Sequence, residues 1–371
     1  MLFTCDVQEL LDGLSTASRA LSSRPAKQIL EGVLLETTES GIRITCTDLN
    51  LTIETYVDAT VKEEGQVVLP GRLFTDLVRK LSGGLLEINV DDKNIAYLRN
   101  AGSTIKLSGL SAREYPRMDE PDTHKSVTLP QSKMRDMINK VSFAVATDET
   151  RLILTGILLE ITQSEVRLVA LDGFRLAMRR LSGTYADVAA GETIETVVPG
   201  KVMSELAKLL STDDTPLTIS FSESRMELSF GKTKMYNVLL AGEYIRYRQI
   251  MPTTWTSRAT IKTREFERAI ERASLMAREG KNNLIKMHMT QEGLVITSNA
   301  ELGDVHENLD LLLEGRDIDI AFNVRYLSDV LRNIDEETVC MRFTSNVSPS
   351  VVCPAEWEDY LYLVLPVRVF E

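Results

Sequence analysis

The sequence is poor in the residues on which most active sites and metal centres depend. Histidine occurs three times and cysteine four times in 371 residues, and no two cysteines form a CxxC pair. Because imidazole is a common general base and metal ligand, catalysis or zinc binding would have to proceed largely without it. We therefore predict no metal site and no cofactor. The four cysteines are predicted to be buried or half-buried thiols: Cys5, Cys46, Cys340 and Cys353.

Long apolar runs and targeting signals are missing as well. No apolar segment approaches the roughly 20 residues that a membrane-spanning helix needs. The first residues, MLFTCD, contain no basic segment followed by an apolar stretch, as a secretory signal would. We therefore expect a cytoplasmic protein that has no membrane partner and forms no disulfides.

No nucleotide or nucleophile motif is complete. Gly231-Lys232-Thr233 resembles the end of a P-loop, but the glycine required five residues earlier is Met226. The patterns GxSxG, HExxH and GxGxxG are absent. The residues alone thus favour a binding or scaffold protein. An enzyme or nucleotide-binding protein built on a duplicated α+β domain is the alternative.

The sequence contains three copies of one repeated unit. Residues 31–36 (EGVLLE) recur as 155–160 (TGILLE), at an offset of 124. After an insertion of about five residues, Pro70-Gly71 aligns with Pro199-Gly200. A third, more diverged copy repeats the first helix at 266–274. We divide the chain into similar domains at 1–123, 124–251 and 252–371.

Each copy follows the same order of elements. An amphipathic helix comes first, with apolar residues at a spacing of three or four positions. Alternating strands follow, and a second helix begins at the Pro-Gly pair, where proline is tolerated in the first turn. More strands close the copy. The predicted fold class is α+β, with two helices and about eight strands per domain and helices packed on one sheet face.

Charge is distributed unevenly between helices and the rest of the chain. The formal net charge is −12, which argues against binding to nucleic acid when taken for the whole chain. The six predicted helical segments nevertheless sum to about +7, so the strands and loops carry about −19. A positive helical surface and an acidic sheet surface follow if the helices share one side. Exposed lysine and arginine on any amphipathic helix are the simpler interpretation.

Three features together resemble the bacterial sliding clamp family, the beta subunit of DNA polymerase III. They are Arg24-Pro25 after the first helix, residues 171–177 (LDGFRLA) in the middle copy, and residues 362–369 (YLVLPVRV) at the end. The resemblance covers the whole chain. It implies a head-to-tail homodimer that forms a closed ring, with helices lining the hole and sheets outside.

The resemblance also implies a function. Such a ring is a non-catalytic processivity factor that encircles double-stranded DNA, independently of sequence, and tethers proteins to it. The implied partners are the DNA polymerase III catalytic subunit, the clamp loader and other proteins that carry clamp-binding peptides. We expect the basic residues of the helices to face the DNA: Arg24, Arg72, Arg79, Lys80, Lys133, Lys140, Lys201 and Lys208.

The family binds partner peptides in a groove between its second and third domains. The matched positions are Arg151, Leu154, Leu171, Gly173, Phe174, Arg175, Leu176, Ile250, Asn323, Tyr326, Val347, Leu365, Pro366, Val367 and Arg368. Phe174 stands where some relatives carry histidine, and Leu171 where some carry threonine. We therefore expect a more apolar groove than in those relatives.

Within this groove, four apolar residues are expected to form the pocket that buries the anchors of a peptide: Leu154, Leu176, Val347 and Leu365. Arg175 or Arg368 is expected to fix the peptide backbone or an acidic side chain.

The resemblance places the subunit contact between the first copy of one protomer and the third copy of the other. One side is the strand carrying Ile105, Lys106 and Leu107, and the other is the helix carrying Leu275 and Met276. Alternation puts Ile105 and Leu107 on one face, where we expect an apolar contact, and leaves Lys106 to meet acidic residues.

Overall fold

The computed structural model describes residues 1–22, 27–117, 125–185, 187–280, 283–355 and 359–368. Within these ranges each repeat contains two α-helices, as predicted. They are α1 Val7–Ala17, α2 Gly71–Arg79, α3 Gln131–Val141, α4 Gly200–Leu209, α5 Thr263–Glu279 and α6 Val324–Leu331.

The strands also follow the predicted order. Those of the first repeat are β1 Leu2–Asp6, β2 Gly32–Thr38, β3 Gly41–Thr47, β4 Leu51–Glu63, β5 Gln66–Pro70, β6 Leu85–Val90, β7 Ile95–Asn100 and β8 Ser103–Ser108. Those of the second are β9 Lys125–Pro130, β10 Gly156–Thr162, β11 Glu165–Leu171, β12 Arg175–Ser182, β13 Thr193–Pro199, β14 Pro216–Phe221, β15 Arg225–Phe230 and β16 Thr233–Val238. Those of the third are β17 Ser257–Lys262, β18 Leu284–Thr290, β19 Gly293–Ala300, β20 Gly303–Leu309, β21 Leu312–Gly315, β22 Ile318–Asn323, β23 Thr338–Phe343, β24 Ser350–Pro354 and β25 Tyr360–Val364.

The Pro-Gly pair has a packing role at the start of the second helix in the first two repeats. A Cβ on Gly71 would lie 2.9 Å from the Glu31 carbonyl oxygen, and one on Gly200 would lie 2.8 Å from the Thr155 carbonyl oxygen. Only glycine lets the helix begin this close to the backbone that precedes β2 or β10. The Pro-Gly motif therefore recurs because the same close approach between helix start and preceding backbone recurs in both repeats.

The first helix of each repeat is held by its apolar face. In α1, Leu10, Leu14 and Ala17 are fully buried. Asp6 caps the helix, because its Oδ1 accepts hydrogen bonds from the N–H groups of Gln8 and Glu9 at 2.8 and 3.2 Å. The four cysteines are buried thiols, which agrees with the prediction.

The sheets run from one repeat into the next. A twelve-stranded sheet contains β1–β8 together with β9, β14, β15 and β16, and the repeats join where β16 pairs with β4. A nine-stranded sheet has the order β13-β10-β11-β12-β25-β24-β23-β17-β21, and a four-stranded sheet has the order β20-β19-β18-β22.

Strand pairing between repeats determines how the chain divides into compact units. One unit comprises Met1–Met134 and Lys208–Leu239, and the other comprises Arg135–Ala207 and Leu240–Glu371. The middle repeat is therefore shared between the two units, although it is one copy in sequence. Among the described residues, no helix has the length and apolar composition to cross a membrane.

Candidate functional site

The second and third repeats are joined where β12 pairs with β25. The strands are antiparallel, with Arg175 opposite Val364 and Leu176 opposite Leu363. The pairing extends beyond β25, because the Leu365 N–H donates a 2.9 Å hydrogen bond to the Phe174 carbonyl. Two segments that are far apart in sequence thus lie side by side, and both carry residues expected in the groove.

A tight turn before β12 presents Phe174 to solvent. Asp172 Oδ1 accepts hydrogen bonds from the N–H groups of Phe174 and Arg175, at 2.9 and 3.0 Å. Gly173 adopts a φ of +93°, a conformation that a side chain would strain. The turn leaves the Phe174 side chain 56% exposed.

Arg175 is held by two carboxylates of its own chain. Its Nε donates a 3.0 Å hydrogen bond to Asp172 Oδ2, and an Nη donates to Asp329 Oδ2. The guanidinium also lies over the rings of Tyr326 and Phe143, at 5.0 and 5.3 Å from their centroids. Its side chain is only 8% exposed, and the contact of Arg175 with a peptide stays a prediction. Arg175 ties the turn before β12 to α6.

An aromatic pair stands above this arginine. The rings of Phe174 and Tyr326 are stacked, with centroids 5.6 Å apart and planes at 13°. Asn323 caps α6, since its Oδ1 accepts a 3.0 Å hydrogen bond from the Arg325 N–H. Asn323 therefore fixes the start of the helix that carries Tyr326.

An apolar cluster lies beneath the β12–β25 pairing, which we call the seam. Leu154, Leu171 and Leu176 belong to it, together with Leu363 and the buried ring of Tyr247. Leu154 and Leu176 are at most 2% exposed. These two leucines are packed in the core, so in the expected four-residue pocket they can form only the floor, and the pocket itself stays a prediction.

The exposed apolar residues near this floor are the ones that can meet a ligand. Ile250, Val347 and Leu365 are 47%, 51% and 37% exposed. Sequence reasoning missed two more, Leu152 at 59% and Ile245 at 37%. Both lie in short segments whose neighbouring residues pack into the apolar cluster. The sequence held one signal for both exposed residues. Each is a large apolar side chain that lies next to an arginine and outside any alternating strand pattern.

A polar network fixes the segment that carries Ile250. The Tyr247 hydroxyl donates a 2.6 Å hydrogen bond to Glu160 Oε2, and an Arg248 Nη donates to the same oxygen at 2.9 Å. Arg167 donates to the Tyr247 hydroxyl oxygen at 2.9 Å. Burial, together with the bond to Glu160, raises the pKa of Tyr247 to about 12, so the hydroxyl stays a donor at neutral pH.

The segment after β25 lies against β22. The Val367 N–H donates a 2.8 Å hydrogen bond to the Ala321 carbonyl. Val347, Val367 and Arg368 line a cavity of about 510 Å³ on the four-stranded sheet. Pro366 is partly buried, whereas Arg368 and Arg151 are exposed and available to a ligand.

The helical basic residues differ in their surroundings. Six of those expected to face DNA are exposed: Arg72, Arg79, Lys80, Lys133, Lys201 and Lys208. Arg79 forms an ion pair with Asp76 at 2.6 Å, one turn earlier on α2. Arg24 lies outside the described residues.

The residues expected at the subunit contact lie on two different elements. Within the described residues β8 pairs only with β7, so it is an edge strand of the twelve-stranded sheet. Ile105 is partly buried, Lys106 is exposed and Leu107 is 7% exposed. Leu107 therefore packs inside its own domain, and the expected apolar contact through it is corrected. On α5, Leu275 is 66% exposed and Met276 is partly buried.

Comparisons with known proteins cover the same three repeats. Residues 1–119 match the N-terminal domain of the DNA polymerase III beta subunit, residues 128–245 match its central domain, and residues 248–368 match its C-terminal domain. The Beta sliding clamp of Bacillus subtilis (strain 168) is 30% identical over 381 residues, and that of Halalkalibacterium halodurans is 32% identical over 381 residues. Both comparisons cover 100% of each chain. The chain belongs to the DNA polymerase III beta subunit family, the sliding clamps.

The fold agrees with this assignment. The crystal structure of the DNA polymerase sliding clamp from Bacillus subtilis superposes with a TM-score of 0.95 at 30% identity, over 100% of both chains. The resemblance seen in the sequence is therefore confirmed at the level of family and fold.

One basic residue of this sliding clamp does not fit the expected DNA surface. The Lys140 side chain is 8% exposed, and its Nζ is 2.5 Å from Asp335 Oδ2. The ammonium also donates a 2.6 Å hydrogen bond to the Asn333 carbonyl and lies 5.0 Å from the centroid of the Tyr360 ring. Lys140 is thus corrected from a DNA contact to a link between α3 and the segment after α6.

Replacing Lys140 tests this correction. We expect Lys140→Ala to lower the midpoint of thermal unfolding, because it leaves the Asn333 carbonyl without this donor and opens space beside Tyr360. Lys133→Ala, on the exposed side of the same helix, is the matched control and should leave the midpoint unchanged. Calorimetry of both variants makes the comparison. Equal midpoints would show that Lys140 has no structural role.

Proposed function

We propose that this chain is a DNA polymerase processivity factor, a non-catalytic subunit that closes a ring around duplex DNA as a head-to-tail homodimer. The observation that carries the proposal is the match of all three repeats, in order and over the full chain, to the sliding clamp family. The alternative, an enzyme on a duplicated α+β domain, is not favoured by any of these matches.

The proposed contact with DNA uses a few exposed cations on several helices. α2 contributes Arg72, with Lys80 directly after it, α3 contributes Lys133, and α4 contributes Lys201 and Lys208, all of them exposed. Contacts to phosphate carry no sequence information, and a sparse set of them binds weakly. Closure of the ring then keeps the protein on DNA while weak binding lets it slide.

Removing cations from the helices should weaken DNA association in a salt-dependent way. For Lys80→Ala, Lys133→Ala and Lys208→Ala combined, we expect weaker binding to duplexes of any sequence. The plot of log K for DNA binding against log salt has a negative slope. The magnitude of this slope should decrease by up to about 3, since each lost phosphate contact removes about one unit. Fluorescence anisotropy across a salt series measures this slope.

The control for this experiment removes the same number of charges elsewhere. Lys62, Lys93 and Lys232 are exposed but lie on strands or turns. Their combined replacement by alanine should leave the slope unchanged. Equal losses in the two triple variants would mean that the helices are not the DNA surface.

Ring closure is proposed to use edges that the fold leaves open. β8 ends the twelve-stranded sheet and β20 ends the four-stranded sheet, and α5 with exposed Leu275 packs beside β20. Arg272 of α5 forms a two-pronged ion pair with Glu307 of β20, at 2.6 Å for each hydrogen bond. A contact between unlike surfaces closes after two subunits when the rotation allows it.

Charge placed at this contact should separate the subunits. We expect Leu275→Glu combined with Met276→Glu to give monomers, because the interface would bury unpaired carboxylates. Leu73→Glu, at a 52% exposed leucine on α2, is the control and should remain dimeric. Analytical ultracentrifugation reports the outcome. A dimer in the double variant would move the interface to another surface.

The groove at the β12–β25 seam is proposed to bind the partner peptides of polymerase, clamp loader and other proteins. Its support is the apolar cluster beneath the β12–β25 pairing, together with exposed Phe174, Ile250, Val347 and Leu365 and exposed Arg151 and Arg368. A short peptide with leucine and phenylalanine anchors fits such a surface, because a few buried apolar side chains supply most of the affinity.

Phe174 provides the most direct test of the groove. We expect Phe174→Ala to weaken binding of a Gln-Leu-x-Leu-Phe type peptide about tenfold, or about 1.4 kcal/mol, through loss of aromatic contact area. Leu49→Ala is the matched control, since Leu49 is 46% exposed on the corresponding turn of the first repeat. A fluorescence titration measures both dissociation constants.

Removing residues 365–371 should abolish peptide binding and leave the dimer intact, because the proposed subunit contact uses other surfaces. Binding of the peptide should also resist moderate salt better than binding of DNA, since burial of apolar area is not screened. Equal peptide affinity in the truncated and intact proteins would move the partner site away from this seam.

A further inference from the structure

Two of the four cysteines face each other across neighbouring strands. In the antiparallel pair β23–β24, Cys340 lies directly opposite Cys353. Both are thiols outside any disulfide, and both are at most 1% exposed. Directly opposed residues have Cβ atoms about 4.5–5.5 Å apart, and a disulfide needs about 3.5–4.5 Å. A small adjustment within the existing register would therefore allow a bond between the two sulfurs.

Arginine side chains lie over one of these sulfurs. Arg258 Nε donates a 3.2 Å hydrogen bond to Cys340 Sγ, and the Arg258 side chain is itself 31% exposed. Arg258 is also 3.6 Å from Glu314 and donates to the Ala355 carbonyl at 3.4 Å. Because the guanidinium over Cys340 is partly exposed, we expect a small oxidant to reach the sulfur when the Arg258 side chain rotates away.

The electrostatic setting distinguishes Cys340 from the cysteines of the first repeat. A hydrogen bond with Cys353, then the hydrogen bond and charge of Arg258, and then Arg342 lower the pKa of Cys340 below the ordinary thiol value. Burial, with Asp6 and Glu9 nearby, raises the pKa of Cys5 to about 12. Burial also raises the pKa of Cys46. Only the thiolate form of a cysteine is strongly nucleophilic.

We propose that Cys340 and Cys353 form a peroxide-reactive dithiol, in which Cys340 is the attacking thiolate, Cys353 the resolving thiol and Arg258 the positioning residue. The chemical class of oxidant is a small hydroperoxide. Cys340 and Cys353 belong to the same apolar cluster as Leu154, Leu171 and Leu176, beneath the proposed peptide groove.

The reaction balances in two steps. The Cys340 thiolate attacks one oxygen of hydrogen peroxide, the O–O bond breaks, and the departing hydroxide takes a proton to leave as water. The Cys353 sulfur then attacks the sulfenic sulfur of Cys340, the S–O bond breaks, and a second water leaves with the Cys353 proton. The two sulfurs lose two electrons in total, and these reduce the peroxide.

The first experiment uses the intact protein without substitutions. After treatment with hydrogen peroxide, we expect the loss of two of the four thiols and a mass lower by two hydrogens. Peptide mapping should find Cys340 linked to Cys353, with Cys5 and Cys46 still reduced. Equal oxidation of all four cysteines, or oxidation of none under conditions that oxidise a free thiol, would overturn the proposal.

The second experiment measures the pH dependence of alkylation by iodoacetamide at each cysteine of the native protein. Cys340 should react at a lower pH than a free cysteine in a peptide, and Arg258→Met should slow its reaction near neutral pH about tenfold and shift its profile upward. Arg258→Lys, which keeps the charge, should restore part of the rate. A Cys340 profile that matches the free cysteine would overturn the proposal, and the native protein alone suffices for that result.

The third experiment separates the two cysteine roles. In Cys353→Ser, Cys340 should stop at the sulfenic acid and be trapped by dimedone, whereas Cys353 in Cys340→Ser should give no adduct. Trapping at Cys353 alone would reverse the assignment and contradict it.

Discussion

The structure depends on the pairing of one repeat's edge strand with a strand of the next repeat. A sheet edge leaves N–H and C=O groups unpaired, and two repeats satisfy each other's edges by joining their sheets. This happens at β4 with β16, where Thr55 faces Thr233, and at β12 with β25, where Leu176 faces Leu363. The compact units therefore cut across the sequence repeats, and each unit contains one continuous seam.

The two seams share a scaffold but differ in what they present. Before each seam strand an aspartate caps a turn: Asp48 accepts from two backbone N–H groups in the first repeat, as Asp172 does in the second. The next residue has a positive φ in both cases, 77° at Leu49 and 93° at Gly173. The following residue is asparagine in the first repeat and Phe174 in the second. Both repeats thus share the geometry of this turn. The sequence of the turn differs, and only the second repeat places an aromatic side chain there.

A network of arginines around one largely buried glutamate also recurs in the first two repeats. Arg43 and Arg117 bind Glu36 in the first repeat, at 2.7 and 2.6 Å. Arg167 and Arg248 bind Glu160 at the equivalent place in the second. Such networks are costly to break, because removing one partner leaves a buried charge uncompensated. They keep the segments that lead into the next repeat fixed on the sheet, and in the second repeat that segment carries Ile250.

Much of this fold could be predicted from the sequence, because local periodicity and the repeat are visible in it. The helices begin within a residue or so of the Pro-Gly and apolar signals, and the strands follow the alternating segments. What could not be predicted depends on partners that are distant in sequence. In the sequence, Lys140 has the pattern of an exposed cation on a helix, and only the fold shows that it pairs with Asp335. In the same way, only the fold shows that Arg175 pairs with Asp329. Leu107 lies on the same strand face as Ile105, as expected from alternation. Only tertiary packing determines that this face points into the domain core.

The central claim is that closure of a ring, and not affinity, keeps this protein on DNA. The most direct test loads the protein with its clamp loader onto a nicked circular plasmid and follows it by gel filtration before and after the plasmid is linearised. We predict that the protein elutes with the circular DNA and is released when the circle is cut, because a sliding ring leaves through a free end. Equal retention on circular and linear DNA, or no retention on the circle, would contradict the account.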